Sequence, residues 1–372
     1  MRTPRENLLS VFRHEIPEWI PVVAHVDPYN QPNQRGMDPQ LAEKLSNVRW
    51  ADESIVTFSR YLGLDIMDFF FPPIAIRQRT VTVETETKED LQITTWRTPK
   101  GDLRQVLRFS PDTGMWYTVE HQVKEVADLP RLAAVFEDQE IAFDPERLTA
   151  LQARQRLIGD DGILICSFPG TPLGQLIRVH AGVETTGYLW ADGPRELHAL
   201  VEVMTENHLR QFQLSASCDG IDAMVGMDDT STTTQSPAMF EEYCLPYTDL
   251  IADAVHAQGK LYFHHSCGLI HDLMPLYRQT RMDAVHGYTI PPLGDVGIAE
   301  GLALLGSKIT ILPGFIQLFG NMDDREAVEE SVIAMFREAT PGAHFIPCVA
   351  ADPEKTMEDT EFIVRICKQY QQ

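Results

Sequence analysis

Cysteine and basic residues are both scarce in this chain. Six cysteines stand at irregular spacings among 372 residues, so the sequence does not indicate a disulfide framework, and the cytoplasm is the expected compartment. Lysine and arginine number 31 against 54 aspartates and glutamates, which gives a formal net charge of −23. Because phosphate backbones and anionic membrane surfaces are bound by clustered basic residues, this charge argues against a nucleic-acid or membrane partner.

Long apolar runs are missing as well. No run reaches the roughly 18 residues that a membrane-spanning helix needs, and the richest, Met67–Phe71, is followed at once by two prolines. The opening residues Met1–Asn7 are polar, so we do not expect a secretory signal peptide. No Gly-x-Gly-x-x-Gly motif opens a predicted helix, and a dinucleotide-binding fold therefore gains no support.

From about residue 144 onward, short apolar runs alternate with helical patterns. Near-continuous apolar runs are typical of parallel strands that are buried on both faces. An N-terminal strand is predicted over Ile20–His25, and the later candidate strands are Gly162–Cys166, Ile221–Met227, Leu261–His264, Ala284–Tyr288, Lys308–Leu312 and His344–Cys348. Helical patterns cover Arg195–Leu214, Ser236–Gly259 and Asp324–Ala339. We predict an α/β fold, a closed (β/α)8 TIM-type barrel, as a single domain over residues 1–372.

Residues from about 80 to 121 follow a different pattern. Thr80–Thr87 alternates with period two, and Leu91–Trp96 and Leu103–Phe109 follow, separated from each other by a turn that contains Pro99 and Gly101. Short runs of this kind with turn residues between them predict an antiparallel β meander, inserted into the main fold.

Polar side chains stand at the predicted carboxyl ends of the strands, where an α/β barrel forms its active site. His265 and Cys267 follow the strand Leu261–His264, and Cys348 ends the last strand. One imidazole and two thiolates can hold Zn²⁺ and leave a coordination position open, as catalytic zinc sites do. The other polar residues in this placement are His25, Ser167, Asp228, Asp229, His286 and Tyr288.

Each of these residues also has a purely structural interpretation. A cysteine at the end of a buried strand is more often a small core residue. Asp228 and Asp229 are candidate catalytic residues that bind or orient the metal, or else they cap a helix. Because adjacent side chains in a strand face opposite ways, His265 rather than His264 is expected to share the interior with Cys267. The candidate substrate-binding residues, for which packing is the alternative, are His25, Ser167, His286 and Tyr288.

Several segments together form a recognisable pattern: Thr3–Leu9, Glu18–Val22, Ser236–Tyr247, His265–Gly268, Gly294–Val296 and Gly320–Asp323. They resemble the uroporphyrinogen decarboxylase superfamily over nearly the whole chain, and within it the zinc-dependent corrinoid methyltransferases. The His-x-Cys pair with a distant cysteine is similar to the zinc motif of the methylcobamide:coenzyme M methyltransferases. It is also similar to the metal motif of cobalamin-independent methionine synthase.

The resemblance implies a methyl transfer between a corrinoid (cobalamin) and a small substrate, with Zn²⁺ held by His265, Cys267 and Cys348. The corrinoid would be free or carried by a corrinoid-binding protein, and the other partner would be a small-molecule methyl donor or acceptor. The reaction would be thiol methylation or, in the other direction, demethylation as in O-demethylase systems. Thiolate ligands favour the first, because they suit activation of a substrate thiol.

The fourth zinc ligand is left open by the resemblance. Methionine synthase supplies a glutamate from the strand that follows the His-x-Cys strand, and the comparable stretch here, Met282–Tyr288, contains none. The candidates are water, the substrate, Asp228, Asp229 and His286.

The alternative function is metal-free decarboxylation of the uroporphyrinogen decarboxylase type. That substrate carries eight carboxylates and calls for cationic side chains in the cleft. The loop Ala24–Arg35, which stands where the decarboxylases have an arginine-containing loop, keeps one arginine.

Overall fold

The computed structural model describes residues 1–25, 39, 54–112, 114–306, 308–314, 322, 324–339, 344–350 and 356–371. Its strands are β1 Val23–His25, β2 Ile66–Phe70, β3 Ile74–Gln78, β4 Thr82–Lys88, β5 Leu91–Thr98, β6 Gly101–Ser110, β7 Met115–Glu120, β8 Gln139–Phe143, β9 Gly162–Pro169, β10 Ala223–Thr230, β11 Leu261–Ser266, β12 Ala284–Tyr288, β13 Thr310–Pro313 and β14 Cys348–Ala350.

The helices connect these strands in the order expected for an α/β fold. They are α1 Pro4–Phe12, α2 Ser54–Leu62, α3 Leu129–Glu137, α4 Pro145–Ile158, α5 Pro172–Gln175, α6 Val183–Asp192, α7 Pro194–Ala216, α8 Leu245–His256, α9 Met274–Tyr277, α10 Ile298–Leu305, α11 Arg325–Ala339 and α12 Met357–Tyr370. The π turn Leu176–His180 continues α5, and a single helical turn, Pro237–Met239, is joined to α8 by the π turn Phe240–Cys244. Within the described residues, no helix combines the length and the apolar character that crossing a membrane requires.

Six strands form one parallel sheet in the order β13-β12-β11-β10-β9-β2. β1 and β14 form a separate parallel pair. Isolated parallel bridges from Val23 to Asp65 and from Gly314 to Cys348 place this pair beside both ends of the six-stranded sheet. The α/β class is therefore confirmed. Among the described residues, the eight parallel strands do not form one continuous sheet, so the predicted closed barrel is seen only in part.

One face of the parallel strands has its own apolar core, and helix α1 lies against it. Phe12 of α1 stacks on Phe263 of β11 with ring centroids 4.9 Å apart. Arg5 of α1 pairs with Asp222, just before β10, so α1 covers the amino ends of the strands. This leaves the carboxyl-end edge of the same face for other side chains. The strand residues of this core are Val23, Met67, Ile163, Ile165, Ala223, Val225, Phe263, Ala284 and Leu312.

The predicted antiparallel meander is present as a four-stranded sheet in the order β4-β5-β6-β7. A two-stranded antiparallel pair, β3 with β8, flanks it in the chain. Neither β3 nor β8 was predicted from the sequence, and β2 was read there only as an apolar run before two prolines. The structure shows that Ile66–Phe70 is a strand that pairs with β9.

Several strand boundaries differ from the prediction. Asp228 and Asp229 lie within β10 rather than after it, because β10 continues to Thr230. Cys348 begins β14 instead of ending a strand. In β10 the strand continues for three polar residues after its last apolar residue, Met227, so hydrophobicity alone placed its end too early.

Candidate metal centre

Three metal-binding side chains meet at the carboxyl ends of β10 and β11. Asp229 comes from β10, His265 from β11, and Cys267 follows β11 directly. Their ligand atoms all lie within 4.8 Å of one another. His265 Nε2 is 3.3 Å and Cys267 Sγ 3.7 Å from Asp229 Oδ1. The two-residue spacing of His265 and Cys267 explains why both side chains face the same side as Asp229.

These separations fit a tetrahedral zinc ion. Zinc bonds to nitrogen, oxygen and sulfur of about 2.0–2.3 Å at tetrahedral angles put neighbouring ligand atoms about 3.3–3.7 Å apart. The distances from Asp229 Oδ1 to His265 Nε2 and to Cys267 Sγ, 3.3 Å and 3.7 Å, fall in that range. An imidazole, a thiolate and a carboxylate are also ligand types that zinc accepts. The donor set thus passes a test of both chemistry and spacing.

His286 orients His265 from the neighbouring strand. Its Nδ1 lies 2.9 Å from Nδ1 of His265, and its ring lies against Phe69 of β2 with centroids 4.9 Å apart. A metal bound here would take the place of the proton that His265 Nε2 shares with Asp229, and the ring would keep its other proton on Nδ1, donated to His286. Gly287 has φ +76° and makes room, since a Cβ there would lie 2.5 Å from Cε1 of His265.

Cys267 requires a nearby cation to become a thiolate. Burial, followed by the negative charge of Asp229, raises the pKa of Cys267 to about 12. A thiol with that pKa stays protonated at neutral pH, and a divalent cation lowers the pKa of a coordinating thiol. A divalent cation at the cluster would therefore stabilise the thiolate form of Cys267.

Asp229 is held on its other side by Arg178. The Nε of Arg178 lies 2.8 Å from Asp229 Oδ2, and its Nη1 donates to the carbonyl of Met227 at 2.6 Å. The hydrogen bond with His265 is the main reason that the pKa of Asp229 is lowered; burial opposes this shift, and the electrostatic interactions with His265 and Arg178 reinforce it. Asp229 is therefore a carboxylate and can accept hydrogen bonds or bind a metal.

Asp228, its neighbour in sequence, faces the opposite side of the sheet and is buried. Its Oδ2 accepts hydrogen bonds from the backbone N–H, at 2.9 Å, and the hydroxyl of Thr171. Gly174 packs so closely that a Cβ there would lie 1.7 Å from Asp228 Oδ1. Burial raises the pKa of Asp228. The structure does not bring this aspartate into the metal cluster.

His264 also faces away from the cluster, as the alternation along β11 predicts. It is fully buried, its Nε2 lies 2.8 Å from the hydroxyl of Thr230, and its ring lies edge-on to those of Phe240 and Tyr277. His265, and not His264, lies on the same side as Cys267, as the sequence analysis expected.

The remaining predicted site residues are not among the three ligands of the cluster. Cys348 is half-buried and packs against the apolar core that α1 covers, but its sulfur is not among the ligand atoms grouped within 4.8 Å. Ser167 is half-buried in β9 opposite Val225 of β10. Tyr288 is fully buried and its hydroxyl donates to the carbonyl of Gly297 at 3.0 Å. His25 ends β1, but its side chain, like residues 26–38, lies outside the described part of the structure.

Two residues near the cluster were missed in the sequence. Arg178 stands alone in an apolar stretch, Leu176–Val179, and nothing in its spacing connects it with residue 229. Phe69 belongs to β2, the unrecognised strand. The apolar run before Pro72 was the available signal for Phe69, whereas no local signal exists for Arg178.

Comparison with known sequences identifies one family. Residues 102–346, more than half of the chain, match the family model described as "Uroporphyrinogen decarboxylase (URO-D)". No protein with a curated function matches the sequence.

Comparison with solved structures finds similar folds. A methyltransferase from Methanosarcina mazei superposes with a TM-score of 0.60 at 14% identity, covering 100% of this chain and 99% of that one. This likeness concerns the fold. A broad-specificity endoglucanase from an uncultured bacterium gives a TM-score of 0.41 at 9% identity, covering 62% of this chain and 77% of that one. A glycoside hydrolase family 5 enzyme from Prevotella bryantii gives 0.37 at 12% identity, covering 62% and 78%.

Proposed function

The chain belongs to the uroporphyrinogen decarboxylase family, and from this premise we propose that it is a zinc-dependent methyltransferase. It would move a methyl group between a corrinoid and a small substrate. The observation that carries the proposal is the cluster of Asp229, His265 and Cys267, whose spacing suits zinc. Decarboxylation of the family type uses no metal and would leave this cluster without a purpose. The full-length likeness to a methyltransferase fold supports the same choice.

In the proposed site His265, Cys267 and Cys348 bind the zinc, and Asp229 is the best-placed candidate for the remaining position. Cys348 begins β14, and its bridge to Gly314, next to β13, brings it to the sheet that carries the cluster. We propose that all eight parallel strands, β1, β2 and β9 to β14, form a (β/α)8 barrel. Although Cys348 begins β14, it bridges Gly314, the residue after the end of β13, so in a closed barrel it would lie level with the carboxyl ends of the neighbouring strands.

A zinc ion held by thiolates would act as a mild Lewis acid. With Asp229 as fourth ligand, a substrate thiol or a leaving oxygen would be bound by expansion to five-coordination, and a corrinoid would carry the methyl group. The residues of this chain would position that chemistry. His286 fixes the ring of His265. Phe69, in contact with His286, supplies an apolar wall. Ser167, at the same end of the neighbouring strand β9, is proposed to contact the small substrate.

The alternative, a metal-free decarboxylase, is favoured by the description of the matching family model. A substrate with many carboxylates would need several unpaired cations around the site. Among the residues that the structure describes, Arg178 is the cation that contacts the cluster, and it is already paired with Asp229. This arrangement disfavours a polyanionic substrate.

The proposal is tested by metal analysis and methyl transfer on the same preparations. Purified protein is incubated with methylcobalamin and small thiols, or with cob(I)alamin and methyl donors, and the change of the cobalamin absorbance is followed. We expect about one zinc per chain and transfer in one of the two directions. Cys267→Ala should lose both, whereas the control Cys218→Ala, which removes a buried cysteine elsewhere, should keep both. A metal-free wild type that decarboxylates a porphyrinogen would contradict the proposal.

A further inference from the structure

Arg178 binds β10 at two points on either side of a single residue. It donates to the carbonyl of Met227 at 2.6 Å and pairs with Asp229 Oδ2 at 2.8 Å. With Oδ2 engaged in this way, Oδ1 of Asp229 is the oxygen directed to His265 Nε2, at 3.3 Å, and to Cys267 Sγ, at 3.7 Å. We propose that Arg178 is a positioning residue that fixes Asp229 as a metal ligand. This inference rests on the proposed function, because the metal is the proposed zinc.

The segment that carries Arg178 is itself anchored to the same strand. Thr171 caps the short helix Pro172–Gln175, which runs directly into the π turn Leu176–His180. Thr171 is bound by Asp228. Three consecutive residues of β10, from 227 to 229, therefore hold residues 171–178 of this segment. π turns inside helices are frequent at functional sites, and this one places Arg178 beside the cluster.

Asp229 needs such a restraint because its side chain is only partly buried. It is 47% exposed, and Arg178 is 41% exposed. A carboxylate in that environment can rotate to solvent, and a ligand must be held in one rotamer to bind tightly. An exposed ion pair contributes about 0–1 kcal/mol to folding. The pair is therefore better explained by the position that it gives to Asp229 than by stability.

The sign of the effect on zinc affinity separates positioning from simple charge. A guanidinium close to a divalent cation repels it, so if charge alone mattered, removal of Arg178 would strengthen zinc binding. If Arg178 positions Asp229, its removal weakens zinc binding, because the carboxylate is no longer held towards the metal. Loss of a residue that orients a ligand typically costs about 10–100-fold in metal affinity.

The test measures zinc affinity by chelator competition for the wild type, Arg178→Gln, Arg178→Lys, Asp229→Asn and Arg178→Gln/Asp229→Asn. Arg281→Gln is the matched control, since it removes a remote Arg–Asp pair that is 56% and 54% exposed. The absorption spectrum of the Co²⁺-substituted proteins reports the coordination independently of activity.

We expect Arg178→Gln to bind zinc about 10-fold more weakly, to change the Co²⁺ spectrum as Asp229→Asn does, and to be partly rescued by Arg178→Lys. The double variant should lose little more than Asp229→Asn alone, because the two residues act together. Unchanged or tighter zinc binding in Arg178→Gln, or additive losses, would overturn the inference and leave the zinc site intact. A wild type without zinc would overturn both this inference and the proposed function.

Discussion

Two pairs of identical neighbours, Asp228–Asp229 and His264–His265, show how the two faces of the sheet differ. Asp228 and His264 face outward, are buried, and are each bonded to a threonine. Asp229 and His265 face inward at the carboxyl-end edge and lie 3.3 Å from each other. Aspartate and histidine therefore serve helix packing on the outward face and form part of the candidate metal centre on the inward face.

The electrostatics of the two aspartates differ in the same way. Burial raises the pKa of Asp228, whereas the hydrogen bond with His265 lowers the pKa of Asp229. Desolvation disfavours a charged carboxylate, and hydrogen bonds to the charged form favour it. On the outward face, polar side chains are therefore buried and hydrogen-bonded within the packing. On the inward edge, Asp229 is kept as a charged carboxylate that can bind a metal.

The largest expected effect comes from the inward face. A four-ligand zinc site binds with a free energy of about 10–16 kcal/mol, so loss of one ligand should weaken binding on the order of 100-fold or more. We expect this for His265→Ala, measured by chelator competition. The metal-free variant should unfold at nearly the same urea concentration as the metal-free wild type. A large loss of stability without a change in zinc affinity would reverse the roles assigned to the two faces.

A smaller effect is expected from the outward face. Asp228→Ala leaves the backbone N–H and hydroxyl of Thr171 without their acceptor in a buried place. We expect the free energy of unfolding to fall by about 2 kcal/mol, measured by urea denaturation. The matched variant Asp229→Ala, which removes the partly exposed neighbour, should change the free energy of unfolding of the metal-free protein by less than about 1 kcal/mol. Equal losses would remove the distinction.

The last expected effect, which is absent at neutral pH, concerns the pH dependence of the outward packing. Burial, with a lesser contribution from His180, lowers the pKa of His208 on α7 to about 3. Unfolding releases this imidazole to its ordinary value of about 6.5, so the unfolded chain binds the extra proton. This contribution to stability is complete above pH 6.5 and is lost as the pH falls towards 3.

His208→Phe should therefore make the free energy of unfolding fall less steeply with decreasing pH between 6.5 and 3 than it does in the wild type. The measurement is urea denaturation at several pH values. Because His208 packs against the rings of Phe136 and Tyr247, a phenylalanine keeps the aromatic contact. An unchanged slope would show that His208 is not buried in its neutral form.

The sequence was sufficient to predict the features that depend on the alternation of side chains along a strand. Alternation along β11 assigned His265 inward and His264 outward, and the period-two run after Thr80 located the meander. Boundaries were less predictable, since Asp229 proved to lie inside β10. Arg178 could not be found at all, because its role comes from a crossing between residues 49 positions apart. Local sequence patterns do not predict a contact between residues so far apart in the chain.

X-ray absorption at the zinc edge of the purified protein tests the central claim most directly. The account predicts zinc with sulfur ligands from cysteine and nitrogen or oxygen ligands from His265 and Asp229, and loss of the bound zinc itself in Cys267→Ala/Cys348→Ala. A zinc ion without sulfur ligands, or an active wild type without zinc, would contradict it.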